Sequence, residues 1–301
     1  LHSFPTRRSS DLTPFVTPFY LLFFGMMVAD IGYGLLQLIV TLVALKAFNL
    51  DEGTRKFAKF FYYLSYPIIG FGILYGSFFG GIIEMPWRLV DPNKDVTTIL
   101  IVSVIFGAVQ IFFGLGIKAY MLLRAGKPKD AFYDVGAWVI TLVSVALVLG
   151  SGMLGLSPLV KNIAIGFMIF GMIVIVLTGG REEKTRGAQL GQGAYALYGI
   201  TGYVGDLVSY TRLMALGLAG GSLAGAFNMI MGMIPGVAGI LFAPVIFVFG
   251  HIFNLALGLL GAYVHTCRLQ YVEYFGKFYE GGGKAFSPFK TQNKYINVKK
   301  D

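Results

Sequence analysis

The sequence predicts an all-α polytopic membrane protein with about eight transmembrane helices, the last two long and tilted. Three observations carry that expectation. Of 301 residues, 56% are hydrophobic and only 13% charged, against roughly 25% charged in a soluble domain. The apolar residues collect in long runs, and runs of 18 or more with few charges read as membrane spans. The net charge of +9 lies mostly between those runs, as basic cytoplasmic loops do, and no basic patch interleaved with aromatics suggests nucleic acid. Cys267 is the only cysteine, so no intrachain disulfide is possible. His2, His251 and His265 lack zinc-ligand spacing, and no metal site is expected.

The elements follow in order. Residues 1–12 are polar and read as a disordered or artefactual prefix. Their Arg7-Arg8 pair does not make a twin-arginine signal, because the apolar region beyond is too long and ends in no cleavage site. Pro14 to Phe48 is about 35 residues, too long for one span of ~20. The Gly32-Tyr33-Gly34 break predicts a hairpin of helices over 15–30 and 33–48, with Asp30 at the turn. Asp30 is then either a helix-end carboxylate in the interface or a polar group with a role in ion passage. A third span is expected over 57–83, where Gly72, Gly76 and Gly80 form a small stripe suited to close helix packing. The loop 84–95 carries Trp87, an interfacial anchor by type. Spans four to six are expected over 97–123, 132–149 and 159–178. Lys118, Asp134 and Lys161 lie near their ends, where snorkelling or interfacial positions suit them.

The seventh and eighth spans, about 194–234 and 237–278, exceed a ~30 Å hydrocarbon core, which strong tilt or extension beyond the membrane accommodates. Arg212 falls near the middle of the seventh. An arginine at that depth costs at least ~2.5–3.5 kcal/mol, so a functional site is the default reading. At helical period, positions 205, 209, 212, 216 and 219/220 share its face, and most are small. In the eighth span His265 and Arg268 share a face at i, i+3. On periodicity alone Arg268 is either a snorkelling residue or a functional one. Glu273, five positions on, does not share that face and reads as a charge at the membrane edge. Asp206, six before Arg212, lies on a different face from it.

Two motifs carry a resemblance. Ser209-Tyr-Thr-Arg-Leu-Met-Ala-Leu-Gly-Leu-Ala219 resembles the Ser-Tyr-x-Arg-Leu-x-Ala-Leu-x-Leu-Ala run of the membrane stator subunit of rotary V/A-type ATPases, called a or, in bacteria and archaea, I. The stretch from His265 to Phe289, with Arg268-Leu, Val272-Glu, Lys277-Phe-Tyr and Phe286-Ser-Pro-Phe289, resembles that family's closing motif. Met27-Val-Ala-Asp-Ile-Gly-Tyr-Gly34 is similar to a third family phrase, Met-Phe-Gly-Asp-Ile-Gly-His-Gly, with Ala29 for a glycine and Tyr33 for the histidine. Any proton role of that histidine does not carry over, and Gly258 stands where some members have a glutamate. The resemblance covers about Thr13 to Phe289. It implies that residues 13–289 are a transmembrane ion-translocating domain and 290–301 a cytoplasmic tail.

The implied function is that of a stator subunit coupling H+ or Na+ translocation to ATP hydrolysis or synthesis. Arg212 and Arg268 would face the proteolipid ring, whose glutamates supply the titrating carboxylate. Candidate liners of two ion half-channels are Asp206, Ser209, Tyr210, His265, Gln270, Glu273 and Asp30. The implied partners are the ring, the lipid membrane and the other rotary subunits. Peripheral stalks would be engaged through an N-terminal cytoplasmic domain that this sequence, entering the membrane by about residue 15, does not contain. No cofactor is expected. Without a Gly-x-x-x-x-Gly-Lys-Ser/Thr loop, nucleotide binding of that kind is not expected either. The rival reading is a self-contained secondary transporter or channel, but no internal repeat of the kind such folds often show is visible. A structural scaffold would not explain the buried arginines. Basic residues concentrate in alternate loops, which predicts both termini in the cytoplasm, here of a prokaryotic cell.

Overall fold

The computed structural model describes residues 12–83, 85, 86, 88–90, 92, 95–152, 155, 157–181 and 186–279. Among them all regular structure is helical: α1 (Thr13–Val28), α2 (Ile31–Ala47), α3 (Glu52–Tyr75), α4 (Val96–Arg124), α5 (Pro128–Ala131), α6 (Ala137–Gly150), α7 (Pro158–Gly179), α8 (Arg186–Ser209), α9 (Thr211–Met233) and α10 (Gly236–Arg268). Six helical stretches among these residues are long and apolar enough to cross a membrane, three of them running through more than one helical element. The apolar helices α1 and α2, of 16 and 17 residues, are shorter. The chain is thus an all-α polytopic membrane protein. It divides into two compact units, one of the described residues up to Ile101 with Arg212–Gln270, the other of Val102–Thr211 with Tyr271–Tyr279.

In the first unit α1 and α2 form the expected hairpin. The turn falls at Ala29 and Asp30, not at the glycines. Ala29 is left-handed (φ 32°) and Asp30 caps α2 by accepting from Tyr33 N at 3.1 Å. Gly34 instead lets α2 approach α3, where a Cβ would meet Ile69 at 2.6 Å. The third span ends earlier than expected. α3 stops at Tyr75, Gly76 (φ 61°) closes it in the left-handed conformation and Gly80 (φ 69°) repeats that sign in the loop beyond. Glycine adopts such backbone without a Cβ penalty. The reason for the stop is Asp30, which also accepts from Phe79 N at 3.0 Å, Gly80 N at 2.9 Å and Ser77 Oγ at 2.6 Å. A carboxylate buried to 3% exposure needs such donors, and the loop 76–81 wraps to provide them. The expected Gly72/Gly76/Gly80 stripe is therefore corrected: Gly72 alone lies within the helix, where a Cβ would meet Ile31 N at 2.5 Å.

In the second unit Arg181, after α7, binds Asp134 at 3.0 Å and Asp130 at 3.3 Å and lies 5.7 Å from the centre of the Tyr133 ring. These contacts put the loops that follow α4 and α7 at one end of the unit. Asp134 sits in a π-helical turn, Phe132–Gly136, that leads from α5 into α6.

Two expectations about the last spans change. The seventh is not one helix. It is interrupted at Tyr210, whose N–H reaches back three residues to Leu207 O. The face read across 205–220 is consequently divided between α8 and α9. The eighth runs as α10 to Arg268, continues as a π-helical stretch, Leu269–Tyr274, and closes in a 3-10 turn, Phe275–Lys277. The α-helical period used to place Glu273 away from Arg268 does not hold through that wider stretch.

Candidate functional site

Most candidate residues lie along the chain at the end of α8, the start of α9 and the end of α10 with the turns beyond it, and they fall in both units. Within the second unit they form one arrangement. Tyr210 is fully buried, because its ring lies against Gly107 of α4, where no side chain fits. Its hydroxyl donates to Gln110 Oε1 at 2.8 Å, one turn along the same helix. A polar group in such a setting needs a partner of this kind. Asp206 pairs with Lys277, whose ammonium also lies 4.0 Å from the centre of the Tyr203 ring. Both members are less than a quarter exposed. Glu273 is buried to 2% exposure, and Glu273 and Asp206 are both near enough to Tyr210 to act on it electrostatically. The Tyr274 ring packs on Gly114 of α4. Ser209 Oγ is spent on Gly205 O at 3.0 Å, the turn before it.

Within the first unit Arg212 stands in the first turn of α9 and is half-buried. It is the sole charged residue of that helix. Arg268 ends α10 and is exposed, while His265 one turn earlier is half-buried. Gln270 is buried at 2% exposure. Asp30 belongs to the same unit, but its oxygens hold the 76–81 loop as described. The described residues contain no cluster of three or more His, Cys, Asp or Glu side chains placed to hold a metal.

Residues 200–291, which span both arginine motifs, match the V-type ATPase 116 kDa subunit family. The A-type ATP synthase subunit I of Pyrococcus horikoshii is 32% identical over 97% of this chain and 45% of that protein. This chain is homologous to subunit I of the A/V-type ATP synthases. Subunit I of Methanocaldococcus jannaschii is 31% identical over 99% of the chain and 47% of that protein. The V-type ATP synthase subunit I of Borreliella burgdorferi is 26% identical over 98% and 51%. The chain therefore spans about half the length of the subunit I proteins it matches.

Sequence reasoning passed over several members of the arrangement. Gln110, Lys277 and Tyr203 complete the contacts of Tyr210 and Asp206. The signal for Gln110 was present, since an amide inside an otherwise apolar span has to find a partner. The same signal marks Asn228, His251 and Asn254 in α9 and α10.

Proposed function

We propose that this chain is the membrane part of a rotary ATPase stator, and that Arg212 is the group past which ring carboxylates move. The observation that carries this reading is the placement of Arg212. It is the lone charge of a 23-residue apolar helix, and it follows directly on an interruption whose residue, Tyr210, is anchored in the core of the second unit. A cation held there favours the ionised form of a nearby carboxylate. A ring carboxylate arriving at Arg212 would release its proton or sodium ion, and the standing positive charge would block direct leakage between the two sides. Arg268 would assist from the end of α10. Access to the two sides would be lined by Asp206, Ser209, Tyr210, His265, Gln270 and Glu273. Of these Asp206 is already compensated by Lys277, which suits it to shaping a path more than to carrying a proton.

The test is ion pumping by the assembled rotary complex in vesicles. Arg212→Ala is expected to abolish ATP-driven pumping while the ring still co-purifies. Removing an arginine from an apolar helix relieves a burial cost of at least ~2.5 kcal/mol, so assembly should survive. Arg212→Lys is expected to fail nearly as badly, because lysine is more strongly hydrated, loses its proton more readily on burial and offers no planar fork. Near-normal pumping by an assembled Arg212→Ala complex would end this reading.

A further inference from the structure

The first unit contains a second buried polar cluster, which the ion path leaves unused: Tyr33 of α2, Asn228 of α9, and His251 and Asn254 of α10. Tyr33, His251 and Asn254 are each no more than 4% exposed. Phe79 and Phe247 wall the imidazole, with ring centres 5.3 and 4.6 Å from it. Both ends of the cluster are backbone carbonyls, and these fix every hydrogen in it. Gly220 O accepts only, so the Asn254 atom 2.9 Å away is the amide nitrogen, and its other hydrogen goes to Tyr33 Oη at 2.9 Å. At the far end Phe79 O at 2.8 Å and Gly80 O at 3.4 Å call for Asn228 Nδ2, which leaves Asn228 Oδ1 facing His251 Nε2 at 3.0 Å. Nε2 therefore carries the imidazole hydrogen. Tyr33 Oη, already accepting from Asn254, sends its own hydrogen to His251 Nδ1 at 2.8 Å.

Only the neutral Nε2–H tautomer of His251 satisfies this chain. A hydrogen on Nδ1 would face the Tyr33 hydroxyl, whose hydrogen would then be left pointing at the Asn254 amide, another donor. Reversal of the chain, which a proton relay requires, would turn both amide oxygens toward carbonyls. Asp30, the carboxylate beside the cluster, already accepts from Tyr33 N, Ser77, Phe79 and Gly80. Among the described residues each end of the chain is thus a backbone carbonyl, which is neither a proton source nor a sink.

We propose that Tyr33, Asn228, His251 and Asn254 form a proton-tight brace. They are positioning residues that lock α9 to α10 and to the hairpin, and so aim Arg212 and Arg268, without conducting a proton. The proposal takes from the stator reading only the identity of what is aimed. Two measurements on the assembled complex in vesicles test it. In 15N-histidine NMR, the His251 signal is assigned by its loss in His251→Gln. It is expected to report the neutral Nε2–H tautomer from about pH 5 to 8, the range in which an ordinary histidine titrates. An imidazolium or an Nδ1–H tautomer in that range would overturn the brace. In pumping assays His251→Gln is expected to stay within about twofold of the parent, because the amide can accept from Tyr33 and donate to Asn228. His251→Leu, which strands both partners, is expected to lose roughly tenfold or more. Equal failure of the two variants would point to a relay, and equal success to no role; either would overturn the proposal. Arg212→Ala, run in parallel, tests the stator reading separately, and the NMR readout decides the brace whichever way that control falls.

Discussion

Asp30 shows how much one side chain can decide. Its two oxygens accept from three backbone N–H groups and one hydroxyl, the kind of charge-assisted set that a buried carboxylate requires. The same contacts cap α2, end α3 and shape the 76–81 loop. Asp30→Ala would leave all four donors without their acceptor. Each buried donor left unmade costs about 1–3 kcal/mol. Loss of about 3 kcal/mol or more is expected, read as lower yield and an earlier unfolding transition in detergent. Asp30→Asn should recover only part of this, because its amide nitrogen would oppose at least one backbone N–H. An unchanged transition in Asp30→Ala would show that the carboxylate is dispensable to the fold.

At the scale of elements, two contacts tie down segments within the second unit. Tyr210 is seated on α4 through Gly107 and Gln110, and the turn after α10 is held to α8 by Lys277 and Asp206. Breaking a buried ion pair by removing one partner is costlier than removing both, because the remaining charge is uncompensated. Asp206→Ala alone should therefore destabilise by roughly 3 kcal/mol. The pair Asp206→Asn with Lys277→Gln should recover most of that. The comparison is made by unfolding in graded detergent denaturation, with ATP-driven pumping measured on the same preparations. If Asp206 instead carries ions, stability and pumping will part company, with the double variant stable but inactive. Recovery of both together supports the clamp.

At the scale of the whole molecule, the Arg181 contacts with Asp130 and Asp134 put the basic loops after α4 and α7 at one end of their unit. That agrees with the grouping the positive-inside rule makes of Lys127, Lys129 and Arg181. Cysteines placed singly at these positions, in a Cys267→Ser background, are expected to react with an impermeant reagent only from the cytoplasmic face. A cysteine at Trp87 is expected to react only from outside. Trp87 and Lys284, the latter also expected in the cytoplasm, lie outside the described residues. Labelling of position 127 from outside would invert the topology.

The sequence by itself determined the fold class and the position of most apolar helices. Apolar run length fixes where helices can cross, since the bilayer has one thickness, and the eighth span ends within a residue or so of its expected limit. Arg212 and Arg268 were legible because a charge in an apolar helix is conspicuous. What only the tertiary structure decided are the places where a residue far along the chain overrides local pattern. The glycines of residues 57–83 allow more than one helix end; that the helix stops at Tyr75 follows from Asp30, some 45 positions earlier, drawing in the N–H groups of Phe79 and Gly80. Nothing near Tyr210 says that the seventh span is interrupted beside a pocket formed by Gly107 and Gln110 on another helix. The tautomer of His251 depends on two backbone carbonyls, at Phe79 and Gly220, that no spacing rule could have joined. Periodicity reports which face of a helix is apolar. It does not report which partner a buried polar group will find, because in a medium without water that partner is whatever the fold brings within hydrogen-bond reach.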